Sequence, residues 1–312
     1  MTDIVVTYVD NQDPEWQAEY NKYKQLENID ESNEQTNSAI RFRDTGTFRY
    51  FFRSVEQNMP WVNNIFLVVQ NERQVPHWIN RDKVKVVYHK DYIPEDLLPT
   101  FNSNTIEFFL YRIPELANNF ILCNDDTFAL SPIPETMFFE NNKVVYDKQP
   151  SGERPPIDMF NIMMRNNQYI IKQLTGIGDK WFVHRHQMVP HKKDLERQII
   201  EPNLDVFKTC FNSKFRDYKN VTPWLFNELS KVANLGVNKP GLYDRSALIE
   251  LNSKVDLNVY NNYELVCIND TNKNDNFELT KKRMQDFLYD KFPEPSKYEL
   301  ETSNADSSNE LR

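Results

Sequence analysis

Three short apolar runs in this sequence stop on aspartate. Ile4-Val-Val-Thr-Tyr-Val9 ends on Asp10, Phe120-Ile-Leu-Cys123 on Asn124, Asp125 and Asp126, and Leu265-Val-Cys-Ile268 on Asn269 and Asp270. Carboxylate oxygens collected from separate segments form a hard ligand set, suited to a divalent cation such as Mg2+ or Mn2+ that holds a diphosphate. Cationic partners for the same anion stand close together: Arg41 and Arg43, then Arg49 and Arg53, four apart on one flank of an expected helix. The amides at the start of that helix add to an anion site. The chain has six glycines and no G-x-G-x-x-G or G-x-x-x-x-G-K-[ST] pattern, so metal and arginine, not a backbone cradle, must neutralise phosphate. His191 follows Pro190 at the expected start of a helix running to Ile200, where the helix dipole keeps an imidazole neutral and able to take a proton. His184 and His186 alternate as on a strand, but without a matching acid or thiol partner in sequence they argue only weakly for zinc.

These residues need a frame. Apolar runs of four to six residues fit strands covered on both faces, and in an open α/β sheet ligands bind beyond the carboxyl ends of the strands, where the acids fall. Ile65 to Val69 and Val84 to Tyr88 read as further strands between helix-sized segments, which gives β-α-β units and a Rossmann-like, largely parallel sheet flanked by helices. Asp13 and Pro14 open a helix to Leu26, and Asp44 is the expected cap of one with Phe48, Phe51, Phe52 and Val55 inward. Ile106, Phe109, Leu110, Ile113 and Leu116 mark a helix stripe, with Glu107 off it, and a last helix from Asn276 to Asp290 turns Leu279, Met284, Phe287 and Leu288 inward.

Residues 1–146 are expected to form an α/β part that binds nucleotide-sugar and metal. A break at 147–158 opens a more helical second half, 147–298, whose returning strand completes the site within one compact domain. The polar stretch Glu27 to Ser38 reads as a mobile connector or lid, and 299–312 as a disordered tail.

The chain of 312 residues is 39% hydrophobic, enough for a large core, and its net charge of −9 excludes a nucleic-acid partner that needs a basic face. Cys123, Cys210 and Cys267 are widely spaced, as in a reduced protein. No apolar run reaches the roughly 20 residues of a membrane span, and no leader precedes the first strand, so the expected location is cytoplasmic, with peripheral contact at the inner face of the cell membrane left open.

Several motifs in order resemble one family: Val6-Thr-Tyr-Val-Asp10, Arg41-Phe-Arg-Asp44 with Arg49-Tyr50 and Arg53-Ser54, Leu98-Pro-Thr-Phe-Asn-Ser103 with Ile106-Glu107, Leu122-Cys-Asn-Asp-Asp126, Val189-Pro-His191, Cys267-Ile-Asn-Asp270 and Phe292-Pro-Glu-Pro-Ser296. They look like the conserved regions of the Stealth family of polysaccharide phosphotransferases, to which the catalytic subunit of the lysosomal-enzyme N-acetylglucosamine-1-phosphotransferase also belongs. Tyr8 stands where the family usually has Trp, and Asn11 where it has Gly.

The resemblance implies transfer of a hexose or N-acetylhexosamine 1-phosphate from a UDP-sugar to a hydroxyl of a glycan or lipid-linked oligosaccharide, with release of UMP. It implies His191, Asp126, Asp270 and Arg216 as catalytic residues and a divalent cation on Asp125, Asp126 and Asp270. Asp10, Arg41, Arg43, Arg49, Arg53, Glu107 and Asn124 would contact the substrate. The rivals are a metal-dependent glycosyltransferase that releases UDP and a non-catalytic nucleotide-sugar binding protein.

Overall fold

The computed structural model describes residues 1–29, 42–178, 180–271 and 273–300. In chain order the elements that position the site are β1 (Thr2–Thr7), α1 (Pro14–Leu26), α2 (Phe48–Asn58), β2 (Ile65–Val69), β3 (Val84–Tyr88), α3 (Ser103–Phe108), β4 (Asn119–Asn124) and β5 (Thr127–Ala129). After them come α4 (Met159–Thr175), β6 (Val189–Lys192), α5 (Lys193–Ile200), α6 (Trp224–Val232), β7 (Ser246–Glu250), β8 (Leu265–Asn269) and α7 (Phe277–Lys291).

The main sheet has the order β6-β4-β1-β2-β3, parallel throughout except for β6 at its edge. Its strands read as unbroken apolar runs because both faces are covered, and the period of two decides which core each side chain joins. Ile4, Val6, Ile65, Leu67, Ile121 and Cys123 face one cluster, packed by Phe51 and Phe52 of α2 and Met284 and Leu288 of α7. Val5, Phe66, Val68, Phe120 and Leu122 face the other, packed by Phe108, Ile171 of α4 and Leu225 and Phe226 of α6.

A second, three-stranded sheet runs β7-β8-β5. β4 and β5 are separated only by Asp125 and Asp126, and β5 turns to pair antiparallel with β8, Thr127 opposite Cys267. That reversal holds the aspartate pair at a corner between two sheets. β6, from the second half of the chain, pairs with β4 across His191 and Phe120, so both halves contribute strands to the main sheet.

Several local expectations are corrected. α2 begins after Thr47, and Asp44 instead accepts the Gly46 N–H at 2.7 Å in a tight turn. The helix carrying Glu107 ends at Phe108 and tightens into a 3-10 turn at Leu110–Arg112, since Pro114 cannot continue it. His184 and His186 lie on no strand: they fall between Trp181–Phe182 and β6. His191 sits on β6, and its helix starts at Lys193. On α7 Thr280 is buried, whereas Leu279 is exposed. Residues 30–38 of the polar loop, Arg41 and the tail beyond 300 lie outside the described residues, whereas Glu299 and Leu300, expected in a disordered tail, are held by Arg53 and by the Trp78 carbonyl.

Candidate active site

Parallel pairing sets Thr7 of β1 beside Asn124 of β4, so the segments that follow both strands open on the same edge of the sheet. Tyr8 stacks on Phe48 at 4.5 Å. Its phenol is pushed up by burial and then by the charges of Asp44, Asp10 and Asp125, which places three acids around one ring. Asp125 is exposed, although protein crowds around its carboxyl. Burial first, then the neighbouring Asp126 and Asp44, push it up to about 7. Asp10 is fixed through Gln74, whose side chain accepts the Asp10 N–H at 2.7 Å and donates to its carbonyl at 3.0 Å.

Asp126 makes the junction with β8. Its carbonyl accepts the Ile268 N–H at 2.9 Å, and Oδ2 accepts the Cys267 thiol at 3.3 Å. Oδ1 is buried and has no hydrogen-bond partner among the described residues. A carboxylate oxygen so placed invites a cation, and among the described residues Asp126, His186 and Cys267 each offer a ligand atom, all within 4.8 Å of one another. Asp270, three residues past Cys267, has both oxygens engaged: Arg43 Nε donates to Oδ2 and Asn274 Nδ2 to Oδ1, each at 2.7 Å. Arg43 also lies over the Phe277 ring, 4.4 Å from its centroid.

On the other side of β4, Glu107 is half-buried and pushed up to about 7 by burial, against the opposing pull of Arg216, His191 and a hydrogen bond from Asn124. Arg216 and His191 are thus within electrostatic reach of Glu107, and Asn124 within hydrogen-bond reach of it. Arg216 is held in place by Ser103, whose Oγ accepts from Nε at 3.1 Å and from the terminal nitrogen at 2.5 Å. His191 is 3% exposed, stacked on Phe120 at 5.1 Å and edge-on to Phe226. Its Nδ1 lies 2.6 Å from Glu196 Oε1, and its Nε2 is buried without a partner among the described residues. The Glu196 carboxyl is pushed up by burial and drawn back by His191. A carboxylate on Nδ1 fixes the tautomer that leaves Nε2 as proton acceptor, an orienting role distinct from the neutralising one expected of a helix dipole.

The arginines of the first half divide. Arg43 faces Asp270, and Arg49 lies over Trp78 at 5.5 Å. Arg53 is buried and gives its guanidinium to Glu299 at 2.8 Å through two nitrogens and to the carbonyls of Phe292 and Pro293. In this structure it clamps the Phe292–Ser296 segment and is not turned toward the acids. His184 stacks on Trp224 at 5.2 Å and bonds the buried Glu228, a packing role that accounts for its being pushed down to about 4, chiefly by burial.

Sequence reasoning missed Glu196, Ser103 as the support of Arg216, and the approach of Cys267 and His186 to Asp126. Ser103 lay inside a quoted motif, while nothing in the spacing ties a strand histidine to a glutamate on the next helix.

Two conserved-region models match the chain: Stealth protein conserved region 2 over residues 41–147, and conserved region 4 over residues 260–308. A capsular polysaccharide phosphotransferase, WcwK of Streptococcus pneumoniae, is 30% identical across 95% of this chain and 97% of its own length. The chain belongs to the Stealth family. It is a phosphotransferase of that family. The exopolysaccharide phosphotransferase cps2G of Lactiplantibacillus plantarum is 29% identical over 95% of this chain and 96% of its own, and the receptor polysaccharide phosphotransferase WefC of Streptococcus oralis 32% over 72% and 76%. Among solved structures, the galactosyltransferase LgtC aligns with a TM-score of 0.44 at 10% identity, covering 96% of this chain and 99% of that one. The Arg53–Glu299 clamp ties the two matched regions together.

Proposed function

We propose that this chain transfers a hexose or N-acetylhexosamine 1-phosphate from a UDP-sugar to a hydroxyl of an acceptor glycan, free or lipid-linked, releasing UMP and leaving a phosphodiester in a capsular or other cell-surface polysaccharide. The observation that supports it most is that Arg216, His191 and Asn124 all act on the Glu107 carboxyl, Asn124 standing immediately before the Asp125-Asp126 corner. A base, a phosphate-binding cation and a cation-binding corner thus adjoin.

In this reading the acceptor oxygen attacks the β-phosphorus in line, a new P–O bond forms, and the bond to the bridging oxygen breaks so that its electron pair leaves with UMP. The acceptor proton passes to Glu107, which solvent reaches, with the His191 imidazole behind it oriented by Glu196. Arg216 takes charge from the transferring phosphoryl oxygens. Asp126 with Asp125 would hold a Mg2+- or Mn2+-like ion, with Asp270 and its Arg43 partner lining the same corner. Bound there, such an ion neutralises diphosphate charge.

A groove of about 440 Å3 bordered by Trp16, Gln70, Arg73, His89 and Thr100 runs along the carboxyl ends of β2 and β3 and gives room for the nucleoside. Among the described residues no helix is long and apolar enough to cross a membrane. The test is the nucleotide product. Purified protein with UDP-sugars, a divalent ion and an acceptor glycan should release UMP and add phosphate to the glycan, whereas UDP release identifies a glycosyltransferase and refutes the proposal.

A further inference from the structure

We propose that Gln70 and His89 read the base of the donor nucleotide and select uracil by its imide edge, Gln70 Oε1 accepting the N3–H and His89 Nδ1 donating to a neighbouring carbonyl oxygen. The inference rests on the placing of the nucleoside in the groove along β2 and β3, and it is indifferent to which group the enzyme transfers.

Parallel pairing of Val69 with Tyr88 makes Gln70 and His89 the next residues of adjacent strands, so they leave the sheet side by side. Both border the groove of about 440 Å3. His89 is 6% exposed, and its Nδ1 is buried with no hydrogen-bond partner among the described residues, as is Oε1 of Gln70. Two such atoms on one wall cost stability until a ligand pairs with them. The Gln70 amide cannot turn to relieve this, because its Nε2 donates to Glu19 Oε2. Its free atom is therefore an acceptor and calls for a donor. Burial pushes the His89 imidazole down to about 3, so the ring is neutral and has one proton to place. Carried on Nδ1, that proton donates to a carbonyl oxygen.

A ligand that answers both atoms presents a donor beside an acceptor. Uracil does so, with N3–H between two carbonyl oxygens, whereas cytosine turns a bare ring nitrogen toward Gln70 Oε1 and an amine where a carbonyl stood. Trp16, Leu98 and Pro99 give the groove apolar walls for a planar ring. Glu15 and Glu19 balance Arg73 and Lys90 along it, so it suits the uncharged end of a nucleotide and not the diphosphate. The order β4-β1-β2-β3 sets the two readers roughly 10–14 Å from the Asp125-Asp126 corner, two to three strand spacings of about 4.8 Å, a gap that ribose and diphosphate bridge.

Nucleotide analogues test the assignment without altering the fold. Equilibrium dialysis of the full-length protein with Mg2+ should show UDP bound at least about 10²-fold more tightly than CDP or UDP methylated at N3, because each analogue leaves a buried polar atom unpaired. Gln70→Leu, with the fold checked by circular dichroism, should weaken UDP by about tenfold or more and leave little difference between UDP and its methylated analogue. His89→Asn, whose amide N–H can stand in for that of Nδ1, should keep most of the affinity that His89→Leu loses. Equal binding of UDP, CDP and the methylated analogue, a wild-type preference surviving in Gln70→Leu, or His89→Asn no better than His89→Leu overturns the assignment. UDP release by a protein that discriminates bases in this way would refute phosphoryl transfer alone. UMP release by a protein indifferent to the base would refute this assignment alone, and failure to bind any uridine nucleotide would refute both.

Discussion

Replacing Arg53 distinguishes a structural clamp from a phosphate ligand. Arg53 and Glu299 are 8% and 5% exposed at their side chains, and their two hydrogen bonds are 2.8 Å long. Arg53→Ala leaves a buried carboxylate unpaired, a change that costs about 3–5 kcal/mol when nothing else compensates. Here Ser296 still donates to Glu299 Oε1 from its backbone N–H at 2.8 Å and its hydroxyl at 3.0 Å, so the expected loss is at the lower end, about 3 kcal/mol. Urea denaturation should show a lower midpoint with an unchanged slope, and Arg53→Met with Glu299→Leu should recover much of the loss. The pH dependence has a definite sign. Burial raises the Glu299 carboxyl, but the hydrogen bonds and charge of Arg53 with those of Ser296 outweigh it and hold it below the ordinary 4.5. A depressed folded value means stability that is complete above 4.5 and lost as pH falls through the folded value, so the gap between wild type and Arg53→Ala should close in acid. A variant within about 1 kcal/mol of wild type that instead binds UDP-sugar poorly would refute the clamp and restore Arg53 to the phosphate site.

Three further outcomes are expected. Glu107→Gln should lower kcat by about 10²–10⁴-fold, and the wild-type rate should rise as Glu107 ionises through about 7, a limb the variant lacks. Because burial raises this carboxyl, the stability it permits is full below 4.5 and lost as pH rises through about 7, so denaturation at pH 8 should find Glu107→Gln more stable than wild type. Glu196→Gln should reduce turnover by about 10²-fold or more with little change in KM, since it disturbs the His191 tautomer and touches no substrate, and Glu196→Asp should recover part of the rate. Arg216→Lys should cost about 10²-fold in kcat/KM, because an ammonium cannot hold Ser103 and an anion with the same planar fork.

The sheet was legible because its strands are buried on both faces: five consecutive apolar residues at Ile65–Val69 admit few other readings. The acids were legible for the same reason, each marking where such a run ends. What failed was local. Asp44 looks like a cap, but Thr45 and Gly46 form a turn first, and the helix waits for Phe48, whose ring packs on Tyr8. The arginines at 49 and 53 were read by their spacing on one helix flank, yet their partners, Trp78 and Glu299, come from segments whose position no helical period reports. His191 was assigned to a helix start because Pro190 precedes it, while pairing with Phe120 keeps it on a strand.

The corner at Asp125 and Asp126 has an electrostatic logic that its elements alone do not convey. Asp10, Asp44 and Asp125 surround Tyr8, and Asp125 answers the crowding by holding its proton more tightly. Arg43 does not relieve this, because its charge is committed to Asp270. Acids kept near one another with no basic partner among the described residues cost stability unless a positive ligand enters, and a divalent ion carries that charge in the least volume. The same repulsion links folding to binding: such an ion should displace a proton from Asp125 below about 7 and raise the unfolding midpoint most above about 7, where no proton competes for the carboxylate. Calorimetric titration in two buffers of different ionisation enthalpy measures that proton directly, and binding with no proton release at pH 6 would show that the cation bypasses Asp125.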